Sequence, residues 1–243
     1  KADIGENLRI GHNSIIEEGV VIGNEGTIGN NVTVKKGVEL SEGCVLEDNV
    51  IVGYQTLTRI YDEQAQVKKT MIGKHTLVRP NSVVYIGCHI GESSTLNHNV
   101  VLREATMIGH HTSISCMVKS DGYLTIGNHC SIHEMSHLTP FMKIEDYVFM
   151  APGTISLNDA IIDYKRKIKT EKKGPWIKFG ARIGGNVTLC PGVIIGREAF
   201  ITAGSLVTRD VPDYCKAGGV PAKVRGKTKD IEKIKSFSSS LSC

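Results

Sequence analysis

One aliphatic residue at every sixth position is the feature that most constrains this chain. From Ile4 to Val52, each step of six meets Ile, Val or Leu. The same step runs from Ile72 to position 156 and again from 177 to 207, and only Ser120 and Ser156 depart from aliphatic residues or Met. A helix needs apolar spacing near 3.6 and a long strand needs 2, so a period of six fits neither. It predicts a short strand and a corner, repeated many times.

Glycine often follows the aliphatic residue, as in Ile10-Gly11 and Ile195-Gly196. Gly and Asn tolerate the dihedral angles of a tight corner, while the aliphatic side chain points into a core. A single rung buries little surface, so rungs must stack into a solenoid. Three hexads to a coil predict about ten coils. A β-sandwich is disfavoured, because its turns recur every 8–12 residues without a fixed phase.

Composition excludes some classes of function. The net charge of +4 among 243 residues is too small to indicate a nucleic-acid partner. No apolar run approaches the roughly 20 residues of a membrane span, and the polar segment Lys1–Ile4 is not expected to be a secretory signal. The seven scattered cysteines form no CxxC pair, which predicts reduced thiols and a cytoplasmic location.

The phase of the repeat divides the chain into six segments. These are N-terminal coils at 1–58, a phase break at 59–71, central coils at 72–156, a basic loop at 157–176, C-terminal coils at 177–225 and a tail at 226–243, part of which is expected to form a short helix.

Two stretches, 183–214 and 218–223, resemble the acetyl-CoA half of the hexapeptide-repeat acetyltransferases. This resemblance implies an all-β fold, a left-handed parallel β-helix, and a homotrimer with its active sites between neighbouring prisms. The handedness follows from the resemblance alone, since the usual crossover rule would favour a right-handed path. One departure is Val220, where the family usually has Asn.

The resemblance also implies which residues would bind acetyl-CoA as the co-substrate. Backbone-rich positions would line the pantetheine arm and two lysines would meet the phosphates of the adenosine end. These positions are Gly184, Gly185, Ala203, Thr208, Arg209, Lys216 and Lys223.

A further stretch, 144–159 followed by 176–183, resembles the N-acetyltransferases that act on nucleotide-linked 3-amino sugars. Many relatives that O-acetylate sugars have a catalytic His at this loop entrance, whereas this chain has Asn158 and Asp159. The resemblance implies that Asn158 binds the sugar and orients its amine, with Asp159 beside it. A positioned, neutral amine can attack without a dedicated base.

The excursion between Ser156 and Ile177 is far longer than one hexad, which is typical of a functional lid or an insert. It carries six basic residues between 163 and 173, and Lys165 and Arg166 are predicted to bind substrate phosphates. A solvated surface loop is the alternative interpretation. The single tryptophan, Trp176, is expected to anchor the end of the excursion.

Histidines cluster in the middle coils. His133 and His137 are the best candidates for a catalytic base, because His137 lies about one coil before Asn158. Three other functions remain open: an acyl-carrier-dependent O- or N-acyltransferase, a γ-class carbonic anhydrase with zinc on His98, His133 and His137, and a scaffold without catalysis. No metal is expected under the favoured interpretation.

Overall fold

The structure is a computed structural model that describes residues 1–55, 69–162 and 171–228. Its described part is a triangular prism with three sheets, in which neighbouring strands of a sheet pair in parallel except at the C-terminal hairpin. In the first coil Asp3 pairs with Val21 and Ile4 pairs with Ile22, so the register step is three hexads. Three hexads therefore make one coil, as the repeat predicts.

Among the first thirty strands, every third strand belongs to the same sheet. Sheet A contains β1 (Asp3–Ile4), β4 (Val21–Ile22), β7 (Val38–Leu40), β10 (Thr70–Ile72), β13 (His89–Ile90), β16 (Thr106–Ile108), β19 (Leu124–Ile126), β22 (Lys143–Ile144), β25 (Trp176–Ile177) and β28 (Ile194–Ile195). Sheet B contains β2 (Arg9–Ile10), β5 (Thr27–Ile28), β8 (Val45–Leu46), β11 (Leu77–Val78), β14 (Thr95–Leu96), β17 (Ser113–Ile114), β20 (Ser131–Ile132), β23 (Phe149–Met150), β26 (Arg182–Ile183), β29 (Phe200–Ile201), β31 (Cys215–Gly218) and β32 (Lys223–Lys227). Sheet C contains β3 (Ile15–Ile16), β6 (Thr33–Val34), β9 (Ile51–Tyr54), β12 (Val83–Tyr85), β15 (Val101–Leu102), β18 (Lys119–Ser120), β21 (His137–Leu138), β24 (Ile155–Ser156), β27 (Thr188–Leu189) and β30 (Leu206–Val207).

The core is the column of hexad residues inside the prism. From Ile22 onward these side chains are almost fully buried, whereas Ile4 and Ile10 of the first coil are half exposed.

Close packing between coils also requires glycine at the corners. A Cβ on Gly91 would lie 2.5 Å from the carbonyl carbon of Gly109 in the next coil. Backbones of consecutive coils stack too closely at this corner for a side chain.

A polar ladder runs inside the corner between sheets A and B. Ser94 Oγ donates to Gly109 O at 2.9 Å and Thr112 Oγ1 donates to Gly127 O at 2.8 Å. Each hydroxyl also accepts the backbone N–H one coil later, from Thr112 and Cys130 respectively. The corner thus satisfies buried backbone groups that the short strands leave unpaired.

Two long interruptions of the regular register step occur among the described strands, and both leave the same corner. Val38 of sheet A pairs with Thr70, and Lys143 pairs with Trp176, so each of these steps is nearly twice as long as a regular coil. In each case the chain leaves a strand of sheet C and returns to a strand of sheet A. We call this the C–A corner. The expected phase break and the basic loop both fall here, although residues 56–68 and 163–170 lie outside the described part.

The solenoid ends in a C-terminal hairpin, and its number of coils is close to the predicted ten. Sheet B continues into β31, which gives about eleven turns. Strand β32 then turns back antiparallel to β31 and reaches Lys227, inside the segment expected to be tail. This hairpin pairs the open edge that a last parallel strand would otherwise expose. The expected helix lies outside the described residues beyond Thr228.

Among the residues described, no helix is long and apolar enough to cross a membrane. The six cysteines described are all free thiols. Burial raises the pKa of Cys88 to about 12, and the pKa values of Cys44 and Cys130 rise to about 11 for the same reason. These three thiols are packing groups that donate to backbone carbonyls.

Candidate active site

A histidine–aspartate pair lies on the outer face of sheet C. His137 points outward from β21, and its Nε2 lies 2.9 Å from Oδ2 of Asp121 on the preceding coil. The hydrogen bond from His137 holds the pKa of Asp121 down at about 2, with a smaller contribution from Lys119 at 3.1 Å. Asp121 is therefore an anion at any ordinary pH. An imidazole that donates Nε2–H to this carboxylate presents Nδ1 as its basic nitrogen.

The two polar interruptions of the hydrophobic column support this pair. Ser156 Oγ donates to the carbonyl of His137 at 2.9 Å and accepts the N–H of Thr139 at 2.9 Å. On the other side, Ser120 Oγ accepts the N–H of Gly122 at 3.1 Å. Both serines are fully buried. They fix the backbone on either side of His137 and Asp121, so the pair is rigid.

Asn158 lies at the C–A corner, two residues after β24, on the coil that follows His137. Its backbone carbonyl accepts the N–H of Lys173, at 3.0 Å, which closes the base of the excursion. Its side-chain Nδ2 is buried and has no hydrogen-bond partner among the described residues. A buried amide without a partner is costly, and a bound acceptor would remove that cost.

Asp159 has a structural role in the described geometry. Its Oδ1 accepts the N–H groups of Ile161 and Ile162, each at 3.0 Å, and these bonds lower the pKa of its carboxyl. Lys172 lies 3.9 Å from its other oxygen. Lys165 and Arg166, predicted to bind substrate, lie outside the described residues.

His133 and His137 lie in different surroundings. It lies after β20, at the corner between sheets B and C, where Nε2 lies 3.2 Å from Ser131 Oγ and Nδ1 lies 3.5 Å from Glu134. Its ring packs on Phe149, at a centroid distance of 4.7 Å. The two histidines therefore have different polar partners. Across the described ranges, no group of three or more His, Cys, Asp or Glu side chains could hold a metal ion.

The glycines predicted to line the acetyl-CoA arm lie at the corner between sheets B and C. A Cβ on Gly184 would lie 2.4 Å from the backbone N of Ala203, so close stacking of coils by itself requires this glycine. A Cβ on Gly185 would meet only the carbonyl of Pro152, at 3.3 Å. Ala203 is exposed beside them. Gly185 and Ala203 are therefore the more open part of this corner.

The other predicted acetyl-CoA residues lie elsewhere on the prism. Thr208 and Arg209 are exposed at the C–A corner, directly after β30 and on the same corner as Asn158. Lys216 points outward from sheet B, with Nζ 5.9 Å from the ring of Phe200, and Lys223 is exposed at the start of β32. The predicted set is thus divided between the two edges of sheet C and the end of sheet B.

The excursion returns to sheet A at Trp176, and contacts with neighbouring side chains hold this tryptophan in place. Its Nε1 donates to Glu145 Oε1 at 2.8 Å, and the ammonium of Lys143 lies 4.7 Å from the ring centroid. These contacts agree with the anchoring role expected from the sequence.

Asp121 is the functional candidate that sequence analysis missed. The signal was present, since Lys119 is the register partner of His137 and Asp121 follows two positions later. The two interior serines, Ser120 and Ser156, marked the same coils. Only the pairing of β18 with β21 brings the carboxylate to the imidazole.

Two family models match parts of this chain. One is described as bacterial transferase hexapeptide (six repeats) and matches residues 1–36. The other is the hexapeptide repeat of succinyl-transferase and matches residues 180–209. The matches lie at the two ends of the solenoid.

Two curated relatives are sugar acetyltransferases by name. The chain is 52% identical over 50 residues to dTDP-3-amino-3,6-dideoxy-alpha-D-galactopyranose 3-N-acetyltransferase of Aneurinibacillus thermoaerophilus, covering 21% of this chain and 26% of that protein. It is 27% identical over 186 residues to galactoside O-acetyltransferase of Lactococcus lactis, covering 73% and 74%. The chain spans only 26% to 41% of the length of the first five curated relatives.

A solved structure shares the whole architecture. UDP-N-acetylglucosamine acyltransferase of Arabidopsis superposes with a TM-score of 0.72 at 20% identity, covering 92% of this chain and 76% of that one. The shared fold is the left-handed parallel β-helix, which confirms the predicted handedness. The repeat models, the named relatives and the common coil together show that this chain is similar in sequence and fold to hexapeptide-repeat transferases.

Proposed function

We propose that this protein transfers an acetyl group from acetyl-CoA to the amino group of a nucleotide-linked amino sugar. The observation that carries the proposal is the buried Nδ2 of Asn158, which has no hydrogen-bond partner in the part of the chain that the structure describes and lies one coil from the His137–Asp121 pair. The 3-N-acetyltransferase relative supports an amine as the acceptor. The cytoplasmic location and the homotrimer expected from the sequence belong to the same proposal.

The chemistry assigns one task to each side chain. The neutral amine attacks the thioester carbonyl, a C–N bond forms and the C–S bond breaks. Asn158 Nδ2 donates to the oxygen that becomes negative, and His137 Nδ1 accepts the proton that the amine loses. That proton then passes to the departing CoA sulfur. Asp121 fixes the imidazole tautomer and stabilises the imidazolium that forms.

Acetyl-CoA would approach from the C-terminal coils. Gly185 and Ala203 expose backbone at one edge of sheet C, while Thr208 and Arg209 lie at the other edge. An extended pantetheine can pair with such backbone groups, and Arg209, Lys216 and Lys223 supply charge for phosphates. The basic loop residues Lys165 and Arg166 are proposed to cover the phosphates of either substrate.

A sugar hydroxyl is the second candidate acceptor. The His137–Asp121 pair favours it, because an alcohol needs a base more than an amine does. The galactoside O-acetyltransferase relative points the same way. Only the identity of the acceptor distinguishes the two proposals.

The test is thiol release from acetyl-CoA against a panel of nucleotide-linked amino sugars, matched nucleotide-linked sugars with hydroxyls only, and an acyl-carrier donor. We expect turnover with an amino sugar and acetyl-CoA. Asn158→Ala should lower kcat on the order of 100-fold, as loss of an oxyanion donor does. His137→Gln should lower kcat by a similar factor.

His129→Gln is the matched control. His129 is exposed at the corner between sheets A and B, where its ring stacks on Tyr147 with the centroids 4.8 Å apart. Its variant should keep wild-type turnover. If only sugars with hydroxyls are acetylated, the acceptor is a hydroxyl and not an amine. If Asn158→Ala keeps full turnover, the proposed mechanism is wrong.

A further inference from the structure

The C–A corner carries a line of polar and aromatic side chains that reaches well beyond the groups used in the proposed chemistry. It extends from β9, where the first long excursion leaves, to β24, where the second one leaves. Within it, Tyr85, Arg103 and Asp121 follow one another at steps of one coil. The line therefore ends at the His137–Asp121 pair.

Two tyrosines form the N-terminal end of this line. Tyr54 ends β9 and Tyr85 ends β12, and a register shift between Val84 and Tyr85 makes them direct partners. Their ring centroids lie 5.0 Å apart at an interplanar angle of 60°. Tyr54 is 42% exposed, so a large aromatic surface faces solvent. A cavity of about 480 Å³ opens beside it, with Lys35 and Ile86 in its wall.

Two cationic side chains, each paired with a carboxylate, follow one and two coils later. The guanidinium of Arg103 lies 5.8 Å from the ring centroid of Tyr85 and is fixed by two hydrogen bonds to the buried Glu104. On the next coil, the ammonium of Lys119 lies 3.1 Å from Asp121 and its side chain is 55% exposed. Lys119 is also the register partner of His137.

The order along the corner is aromatic surface, cations, then the proposed base. Strands in a sheet lie about 4.8 Å apart, so the three coils from Tyr85 to His137 span about 14 Å. A nucleoside diphosphate sugar has the same order of groups over a comparable length. Its base can stack on a tyrosine, its diphosphate can meet lysine or arginine, and its sugar comes last.

We infer that Tyr54, Tyr85 and Lys119 form a subsite for the nucleoside diphosphate part of the acceptor, with Arg103 held as a positioning residue. The direction of binding rests on the proposed function, because it places the sugar at His137 and Asn158. Acetyl-CoA then approaches from Thr208 and Arg209 at the other end of the same corner. The nucleotide is recognised by residues between β9 and β18, in the N-terminal and central coils, and not by the basic loop alone.

The experiment is isothermal titration of the whole chain with uridine diphosphate and with thymidine diphosphate, without acetyl-CoA. Wild-type protein should bind at least one of them. Tyr54→Ala should weaken binding about tenfold, which is the range for loss of one base–aromatic stack. Lys119→Gln should weaken it by a smaller factor that shrinks at high salt.

Tyr147→Ala is the matched control, since Tyr147 is 53% exposed at the corner between sheets A and B. It should bind both nucleotides as the wild type does, and thermal unfolding of each variant checks the fold. Absence of wild-type binding, or unchanged binding by Tyr54→Ala, would overturn the subsite. Equal losses in Tyr54→Ala and Tyr147→Ala would also overturn it.

Measurements of nucleotide binding and of turnover distinguish a failure of the subsite from a failure of the proposed function. Tyr54-dependent binding without acetyl transfer to any amino sugar keeps the subsite and removes the proposed function. Acetyl transfer to free amino sugars, with the same KM as for their nucleotide-linked forms, keeps the transferase and removes the subsite.

Discussion

The hydrogen bond between His137 Nε2 and Asp121 Oδ2 connects the stability of the fold to the proposed chemistry. The pKa of Asp121 falls to about 2 because the folded state offers it His137 and Lys119. Unfolding removes both partners and returns that pKa to about 3.9. Folding therefore favours the anion.

This lowered pKa predicts a loss of stability in acid. A depressed folded-state pKa contributes stability above the unfolded value and loses it as pH falls toward the folded value. The contribution should be present above about pH 4 and should disappear between pH 4 and 2, at about 2 kcal/mol. Thermal midpoints of wild type and Asp121→Asn across this pH range measure it.

The control for this experiment is Glu42→Gln, which removes an exposed carboxylate 2.9 Å from Lys74. Exposed ion pairs contribute little, so its pH profile should follow the wild type. Identical acid profiles for wild type and Asp121→Asn would contradict the assigned role of Asp121.

Of the residues in the proposed site, His137 and Asn158 were predicted from the sequence, whereas Asp121 was not. Asn158 was predicted through a resemblance, which needs no geometry. Asp121 joins the proposed site because β18 lies under β21, and this contact depends on the register between coils. A pairwise contact across coils becomes visible only when that register is applied.

At the scale of strands and corners, the hydroxyl ladder between sheets A and B decides whether coils stack. Thr112 is 1% exposed, donates to Gly127 O and accepts the N–H of Cys130 at 3.0 Å. It joins three consecutive coils, since its own N–H donates to Ser94.

Thr112→Val should therefore destabilise the coil, although valine has nearly the same shape as threonine. The buried N–H of Cys130 and the partly buried carbonyl of Gly127 lose their partner, which costs about 1–3 kcal/mol. The thermal midpoint should fall by several degrees, at roughly 2–4 °C for each kcal/mol in a chain of this size. Differential scanning calorimetry measures the change.

Thr125→Val provides the comparison, because Thr125 points outward from β19 and is exposed. Its midpoint should remain within about one degree of the wild type, as surface substitutions usually change stability by less than about 0.5 kcal/mol. Equal shifts in both variants would show that the ladder contributes nothing specific.

At the scale of the whole molecule, the outer face of sheet C is unusually apolar for a face that carries a polar site. Ile15 is 58% exposed, Ile155 is 45% exposed and Leu157, just after β24, is 39% exposed. Exposed apolar surface on a flat sheet favours packing against another copy. The predicted trimer would bury this face and enclose His137 between prisms.

Sedimentation velocity should therefore give a mass about three times the 26.4 kDa of one chain. Ile155→Lys should shift the protein toward monomer and lower kcat, because the site would lose its second wall. Met71→Lys, at a 39% exposed position on sheet A, is the control and should stay trimeric. A monomeric wild type would contradict the trimer.

The sequence by itself determined the prism, its coil length and the positions where it is interrupted. Period six, with an aliphatic residue and a corner residue in each hexad, leaves the chain one way to bury its apolar side chains, and this information is local. Only the tertiary structure decided which side chains meet. The two long excursions leave the same corner, and Tyr85, Arg103 and Asp121 align toward His137, because residues one coil apart become neighbours across strands. The hairpin of β31 and β32 also depended on an edge that exists only after the coils have stacked.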